Sequence, residues 1–210
     1  MSLKNEIEKA RQQIVKDGYE MSVGELMSLY GDKRLIINPD FQRHFRWDEL
    51  QKTNFIESLL LGIPIPPIFV FQTDQGGWEL VDGLQRLSTV FEFAGILKDS
   101  EGKLMPPSKL QSTKKLPSLA GKLWKASTDA KNGLTKSQQF DIKRVRIRFE
   151  VLETGTHPYT KFELFQRLNR GGSILTEQEV RTCNFGKTKL INSTLGQERV
   201  GQYDWQNYSR

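Results

Sequence analysis

Trp78-Glu79-Leu80-Val81-Asp82-Gly83-Leu84-Gln85-Arg86-Leu87-Ser88-Thr89 decides how this chain folds. β-favouring residues run up to Asp82, and Gly83 permits a sharp bend. Leu84, Leu87, Phe91 and Ala94 then fall on one face of a helix. The predicted unit is a strand, a glycine turn and a helix. Such a junction leaves backbone N–H groups without intrahelical partners at the positive end of the helix dipole. Gln85 and Arg86 lie off the apolar face beside that end, where a phosphate would meet N–H donors, a guanidinium fork and an amide. The same residues also make an ordinary strand-to-helix turn with solvated polar side chains. Spacing alone does not separate the two readings.

Upstream, Thr73-Asp74-Gln75-Gly76-Gly77 is a hairpin-type loop that leads back to Ile68-Phe69-Val70-Phe71. Strand 78–82 is therefore expected to pair antiparallel with 68–72. Ile63-Pro64-Ile65-Pro66-Pro67 cannot continue a helix and forms a stiff extended segment. Before it, Asp48 reads as the N-cap of a helix through Leu61, with Phe55, Ile56, Leu59 and Leu60 inside and Gly62 as its stop. In Asn38–Trp47, Phe41, Arg43, Phe45 and Trp47 alternate with Gln42, His44 and Arg46. Arginines and a glutamine interleaved with aromatics suit phosphate binding and stacking on a base. They equally suit a core edge whose arginines cap carbonyls. Nearer the N-terminus, Leu3, Ile7, Ala10 and Ile14 keep helical spacing, which predicts an amphipathic helix ending near Gly18. Ser22-Val23-Gly24-Glu25 is a capping box for a short helix carrying Leu26, Met27, Leu29 and Tyr30. Leu35-Ile36-Ile37 is a short strand.

Downstream the charge is uneven. Lys98–Arg148 holds 13 Lys/Arg against 4 Asp/Glu, within a chain of formal charge +6. That asymmetry suits a polyanion partner, because each cation that meets a backbone phosphate releases counterions. It suits a solvated, lysine-rich insertion as well. Pro106, Pro107 and Pro117 break the pattern through 98–134, where short helices are expected around Leu116, Leu119, Leu123 and Trp124. Thr135-Lys136-Ser137-Gln138 is another capping box, for a helix to about Lys143. Val145, Ile147, Phe149 and Val151 then alternate with Arg146, Arg148 and Glu150, which predicts a half-buried strand. Arg146 and Arg148 on its exposed face, with Lys114 and Lys115, are candidates for nucleic-acid contact. Pro158 opens a further helix that ends at Asn169-Arg170-Gly171-Gly172, and Thr176 caps another. That loop either approaches a ligand through its backbone or is simply a helix cap and a turn.

At 210 residues the chain holds one domain, or one with an appendage. The sequence carries no apolar run of membrane-spanning length and no apolar signal core, so a cytoplasmic location is expected. Cys183 is the only cysteine, and His44 and His157 are the only histidines. A disulfide framework and a zinc site are not expected. Asp82, beside the putting-together of turn and helix, has three readings: it caps the helix, it fixes an arginine, or it serves as a base or a Mg²⁺ ligand.

Asp82-Gly83-Leu84-Gln85-Arg86-Leu87-Ser88-Thr89 resembles the D-G-Q-Q-R signature of the N-terminal domains of GmrSD-type restriction proteins. Two more blocks resemble the same family in the same order. One is Asn38–Trp47 followed by Ile63–Ile68. The other is Phe165–Gly172 followed by Leu175 and Glu179-Val180-Arg181. The family is similar to the ParB/sulfiredoxin superfamily. The resemblance implies an α+β fold, with a small mixed or antiparallel sheet, surrounding helices and a helical C-terminal part. With the charge and periodicity read above, the chain divides into N-terminal helices (1–30), a ParB-like core (31–97 and 135–185), a basic insertion (98–134) and a helical extension (186–210). It further implies a nucleoside triphosphate, with Mg²⁺ as its companion, bound by Gln42, Arg43, Gly83, Gln85 and Arg86 and closed over by Asn169, Gly171 and Gly172. Asp82 is the catalytic candidate. Implied partners are DNA and a separate nuclease domain or subunit, and a homodimer through the terminal helices is compatible with the sequence. Leu84 stands where the family usually has Gln, relatives of partition type have Glu and sulfiredoxins have Cys. This argues strongly against sulfiredoxin chemistry and weighs against hydrolysis, not against binding. The other readings are a ParB-like DNA-binding module without hydrolysis, a metal-dependent DNA nuclease, and a protein-interaction scaffold.

Overall fold

The computed structural model describes residues 2–11, 16–37, 45–126 and 130–153. Within them lie strands β1 (Lys16–Ser22), β2 (Leu35–Ile36), β3 (Ile68–Gln72), β4 (Trp78–Asp82) and β5 (Arg146–Leu152). The helices are α1 (Leu3–Arg11), α2 (Val23–Gly31), α3 (Glu49–Leu61), α4 (Leu84–Phe93) and α5 (Lys136–Arg144). The strands form one sheet in the order β1-β5-β3-β4-β2. β1 and β5 are antiparallel, as are β3 and β4, whereas β3 with β5 and β2 with β4 are parallel. The fold is α+β with a mixed sheet.

Three helix starts follow from side chains that accept hydrogen bonds from otherwise unpaired backbone N–H groups. Ser22, Asp48 and Thr135 each accept from the residue three positions on, and Glu25, Gln51 and Gln138 reciprocate. Such a cap stabilises a helix by about 1 kcal/mol. Gly62 ends α3 in the left-handed region at φ 68°. The alternation in β5 buries Ile147, Phe149 and Val151 and leaves Arg146 and Arg148 exposed, as expected. These side chains join Ile68, Val70 and Leu80 from the sheet, Leu26, Ile56 and Leu59 from α2 and α3, and Leu87 and Phe91 from α4 in one core. The hairpin of β3 and β4 has the expected antiparallel register, Val70 opposite Leu80 and Gln72 opposite Trp78, with an irregularity between Phe69 and Val70 that places Phe69 opposite Asp82. A bulge of this kind bends the strand locally, here where the chain turns into α4.

The N-terminal helix does not reach Gly18. α1 ends at Arg11, and Lys16–Ser22 is an edge strand of the core sheet. Its pairing sets Tyr19 opposite Phe149 and Met21 opposite Ile147. Those partners lie far away in sequence, so local periodicity carried the helix too far. Residues 1–30 thus contribute a strand as well as helices.

Among the described residues, segment 98–134 carries short helices as expected, the 3₁₀ turns Pro117–Leu119 and Ala130–Asn132. It is a wall of the core and not a solvated appendage: Leu110, Leu119, Trp124 and Leu134 are buried. The Gln111 N–H donates to Thr53 Oγ1 on α3 at 3.0 Å, and the Thr113 hydroxyl donates to the Glu57 carboxylate. Leucines without a period, separated by prolines, can be buried this way because the segment pairs its backbone donors with its own carbonyls, as in Leu110 N–H to Lys122 and Leu134 N–H to Leu123, and anchors to α3 through Thr53 and Glu57.

The expected helices after Pro158, the Asn169–Gly172 loop, the cap at Thr176 and the extension 186–210 lie outside the described residues. So do Gln42, Arg43 and His44.

Candidate functional site

Gly83 sits between β4 and α4 at φ 106° and ψ 13°. This is a left-handed conformation that side chains rarely adopt. A Cβ there would also lie 2.7 Å from Ile68 Cδ1. The glycine is therefore required twice, by the bend and by the close approach of β3. The Leu87 N–H bonds the Gly83 carbonyl at 3.0 Å, so the helix starts at once. Leu87 and Phe91 are buried, while Leu84 and Ala94 pack against the core from its edge. Leu84 thus supplies apolar contact to the core.

Arg86 and Gln85 lie beside the turn, as the spacing predicts, but both are engaged within the framework. Arg86 Nη2 donates to Asp82 Oδ2 at 2.9 Å. Its Nη1 donates to the Pro67 carbonyl at 3.2 Å and to that of Pro66. The guanidinium ties the stiff Pro66-Pro67 segment to the turn, with the Arg86 side chain only 13% exposed. Burial lowers its pKa from the usual guanidinium value, and the Asp82 carboxylate pushes the other way. The group stays charged at neutral pH. Of the three readings of Asp82, fixing an arginine is the one the geometry contains. Gln85 Oε1 accepts from the Arg46 N–H at 3.0 Å and the Trp47 N–H at 3.1 Å. Gln85 therefore joins the end of the Asn38–Trp47 stretch to the Asp82-Gly83 turn.

A charge cluster that sequence reasoning missed, the buried Lys52 and Glu92 with the half-exposed Glu49, lies about two turns along α4. Lys52 Nζ is 2.8 Å from Glu92 Oε2 and 3.0 Å from Glu49 Oε1. It also lies 4.7 Å from the centroid of the Phe45 ring. The Glu49–Lys52 spacing is visible in the sequence as an i, i+3 pair. Nothing local marks Glu92, which reads as an ordinary exposed helix residue. Ser88, one turn before it, is buried, and its hydroxyl makes no hydrogen bond among the described residues.

Arg146 and Arg148 lie on the outer face of β5, among acids. Arg148 Nε is 2.8 Å from Glu150 Oε1, and Arg146 Nη1 is 4.0 Å from Glu20 Oε2. The pKa of Arg148 is raised, first by its hydrogen bond to Glu150 and also by the charges of Glu20 and Asp17. This is a charge-mixed face and not a bare basic wall. Lys114 and Lys115 are exposed, beside the Thr113 anchor to α3. Among the described residues no group of three or more His, Cys, Asp or Glu is arranged to hold a metal ion. No described helix is long and apolar enough to cross a membrane.

No curated protein and no solved structure matches the chain. A family profile does: residues 23–186 match the GmrSD restriction endonuclease, N-terminal domain. The matched span contains all three sequence blocks, the Asp82–Arg86 turn and four of the five strands, β2 to β5. The chain belongs to the family of GmrSD restriction endonuclease N-terminal domains.

Proposed function

We propose that this domain binds the phosphates of a nucleoside triphosphate over the first turn of α4 and thereby regulates a DNA-cutting partner in a restriction or defence protein. The observation that supports this reading is the contact from Gln85 Oε1 to the Arg46 and Trp47 N–H groups. It brings the chain to the glycine turn three residues beyond Arg43. The backbone N–H groups after Gly83 serve as the phosphate donors, as at other helix N-termini. Arg43 supplies a guanidinium and Gln42 an amide, and Asn169, Gly171 and Gly172 close the site. Arg86 supports the turn and adds positive potential from behind it. The one carboxylate at the turn, Asp82, is already paired with Arg86 and does not by itself make a Mg²⁺ site, which needs several oxygen ligands. Mg²⁺ fits here only as a companion of the triphosphate. With Leu84 packed against the core, no turnover is proposed.

Calorimetric titration of ATP, GTP, CTP and UTP with Mg²⁺ into wild type and Arg43→Ala tests the site. Saturable binding that Arg43→Ala removes without lowering the melting temperature is expected. Absence of binding of all four by folded wild type would overturn the reading. Arg86→Ala is a poorer probe, because it removes framework hydrogen bonds as well.

A different observation favours direct DNA contact by the same domain. Lys136, Phe140 and Arg144 follow one another at one-turn spacing along exposed α5, with Phe140 57% exposed and the Arg144 guanidinium 5.1 Å from its ring centroid. An exposed aromatic flanked by cations suits stacking on a base between phosphate contacts. Salt-dependent binding of single- and double-stranded DNA, weakened by Phe140→Ala and Arg144→Ala, is expected. Equal binding by these variants would exclude this face.

A further inference from the structure

Lys52 occupies an unusual place for a lysine. It projects from α3 to the side of α4, with its own side chain and that of Glu92 each 10% exposed. Nζ donates to Glu49 Oε1 at 3.0 Å and to Glu92 Oε1 at 3.1 Å. Burial pulls the pKa of the ammonium down, but the two carboxylates outweigh it and hold the value above the ordinary 10.5. An ion pair so far from water adds little net stability, and an apolar pair of the same size commonly does as well. Directional groups of this kind instead specify one arrangement of their neighbours. Here the neighbour is Phe45, whose ring face lies 4.7 Å from the ammonium. The next two residues are held from α4 by Gln85 Oε1. Trp47 in turn packs edge-on against Phe55 of α3 at 5.6 Å between centroids. Three consecutive residues are thus gripped by side chains of two different helices.

We infer that Lys52 and Glu92 are a positioning pair that holds Phe45, and with it the Phe45–Trp47 segment, against the two helices. The consequence for binding rests on the nucleotide reading above. Holding Phe45 fixed before the ligand arrives lowers the entropic cost of using Arg43, two residues earlier in sequence, as a phosphate contact. The pair itself touches no ligand.

The test is the double variant Lys52→Met/Glu92→Met, compared with wild type, Lys52→Arg and Phe45→Leu. The double variant removes the cation without stranding a buried carboxylate, and Phe45→Leu removes the aromatic face while keeping the core intact. One readout is the rate of native-state trypsin cleavage after Arg43 and Arg46. The other is calorimetric affinity for the nucleoside triphosphate that wild type binds best. We expect cleavage in the double variant and in Phe45→Leu to be about tenfold faster and affinity about tenfold weaker, at a melting temperature near that of wild type. Lys52→Arg keeps the cation and is expected to match wild type in both. Wild-type cleavage and affinity in either folded variant would overturn the inference. If wild type binds no nucleotide but cleavage still accelerates, the positioning stands and the nucleotide reading falls.

Discussion

Asp82 and Arg86 stand on either side of Gly83, carboxylate to guanidinium at 2.9 Å. The last residue of a strand and the third residue of the following helix are thereby locked in one geometry. The pair also neutralises the one carboxylate at the turn, which would otherwise repel a phosphate.

Arg86→Ala is expected to lower stability by about 2–3 kcal/mol, because it strands Asp82 and frees the Pro66 and Pro67 carbonyls together. Asp82→Asn should cost less, about 1 kcal/mol, since the Asp82 side chain is 32% exposed and its pairing is partly screened. Urea denaturation of both variants and of the double variant gives the coupling energy. Additive costs would contradict the pairing.

Gly83→Ala should destabilise by about 2–4 kcal/mol, from a strained backbone and a clash with Ile68. The added Cβ would lie 2.7 Å from Ile68 Cδ1. Ile68→Val removes that methyl group. The double variant Gly83→Ala/Ile68→Val is therefore expected to lose less than the sum of the two single losses, measured by thermal unfolding.

Gln85→Leu removes the acceptor shared by the Arg46 and Trp47 N–H groups. Its expected cost is about 1–2 kcal/mol, with faster hydrogen exchange at those two amides. Gln85→Glu keeps an acceptor and should preserve their protection. Mass-spectrometric exchange of the segment around residue 46 decides between them.

Glu25 links stability to pH. Its carboxylate accepts from the Ser22 hydroxyl at 2.6 Å and from the Ser22 N–H at 2.7 Å, and both bonds lower its pKa from the ordinary 4.5. A carboxyl group whose folded pKa is depressed contributes stability above its unfolded pKa and loses it as pH falls through the folded value. The acid limb of stability below about pH 4.5 should flatten in Glu25→Gln, as read from melting temperatures between pH 7 and pH 3.

Much of the fold was legible because its signals are local. The boxes at Ser22 and Thr135 and the cap at Asp48 each complete themselves within four residues, and the alternation in β5 is a property of the strand alone. The β4–Gly83–α4 unit was readable for the same reason. β1 was not: Lys16-Asp17-Gly18-Tyr19-Glu20 has no strand pattern, and its state is set by pairing with β5 at the other end of the described chain. The candidate site divides along the same line. Sequence placed Gln85 and Arg86 beside the turn, but their partners at residues 46, 47, 66 and 67 come from segments that only the fold brings close. Lys52 and Glu92 read as solvated charges because helix spacing says nothing about which helix lies opposite.

The placing of β1 also governs the order of events at the ribosome. Ser22 pairs with Arg146 and Lys16 with Leu152, so the first strand to emerge waits for the last one described here. At roughly 5–20 residues per second that wait is on the order of ten seconds. Throughout it, Tyr19 and Met21 lack the strand they will lie against, and β3 lacks its parallel neighbour. During translation the nascent chain therefore carries an unsealed sheet, open to chaperones and to pairing with another chain, until residue 152 has left the exit tunnel.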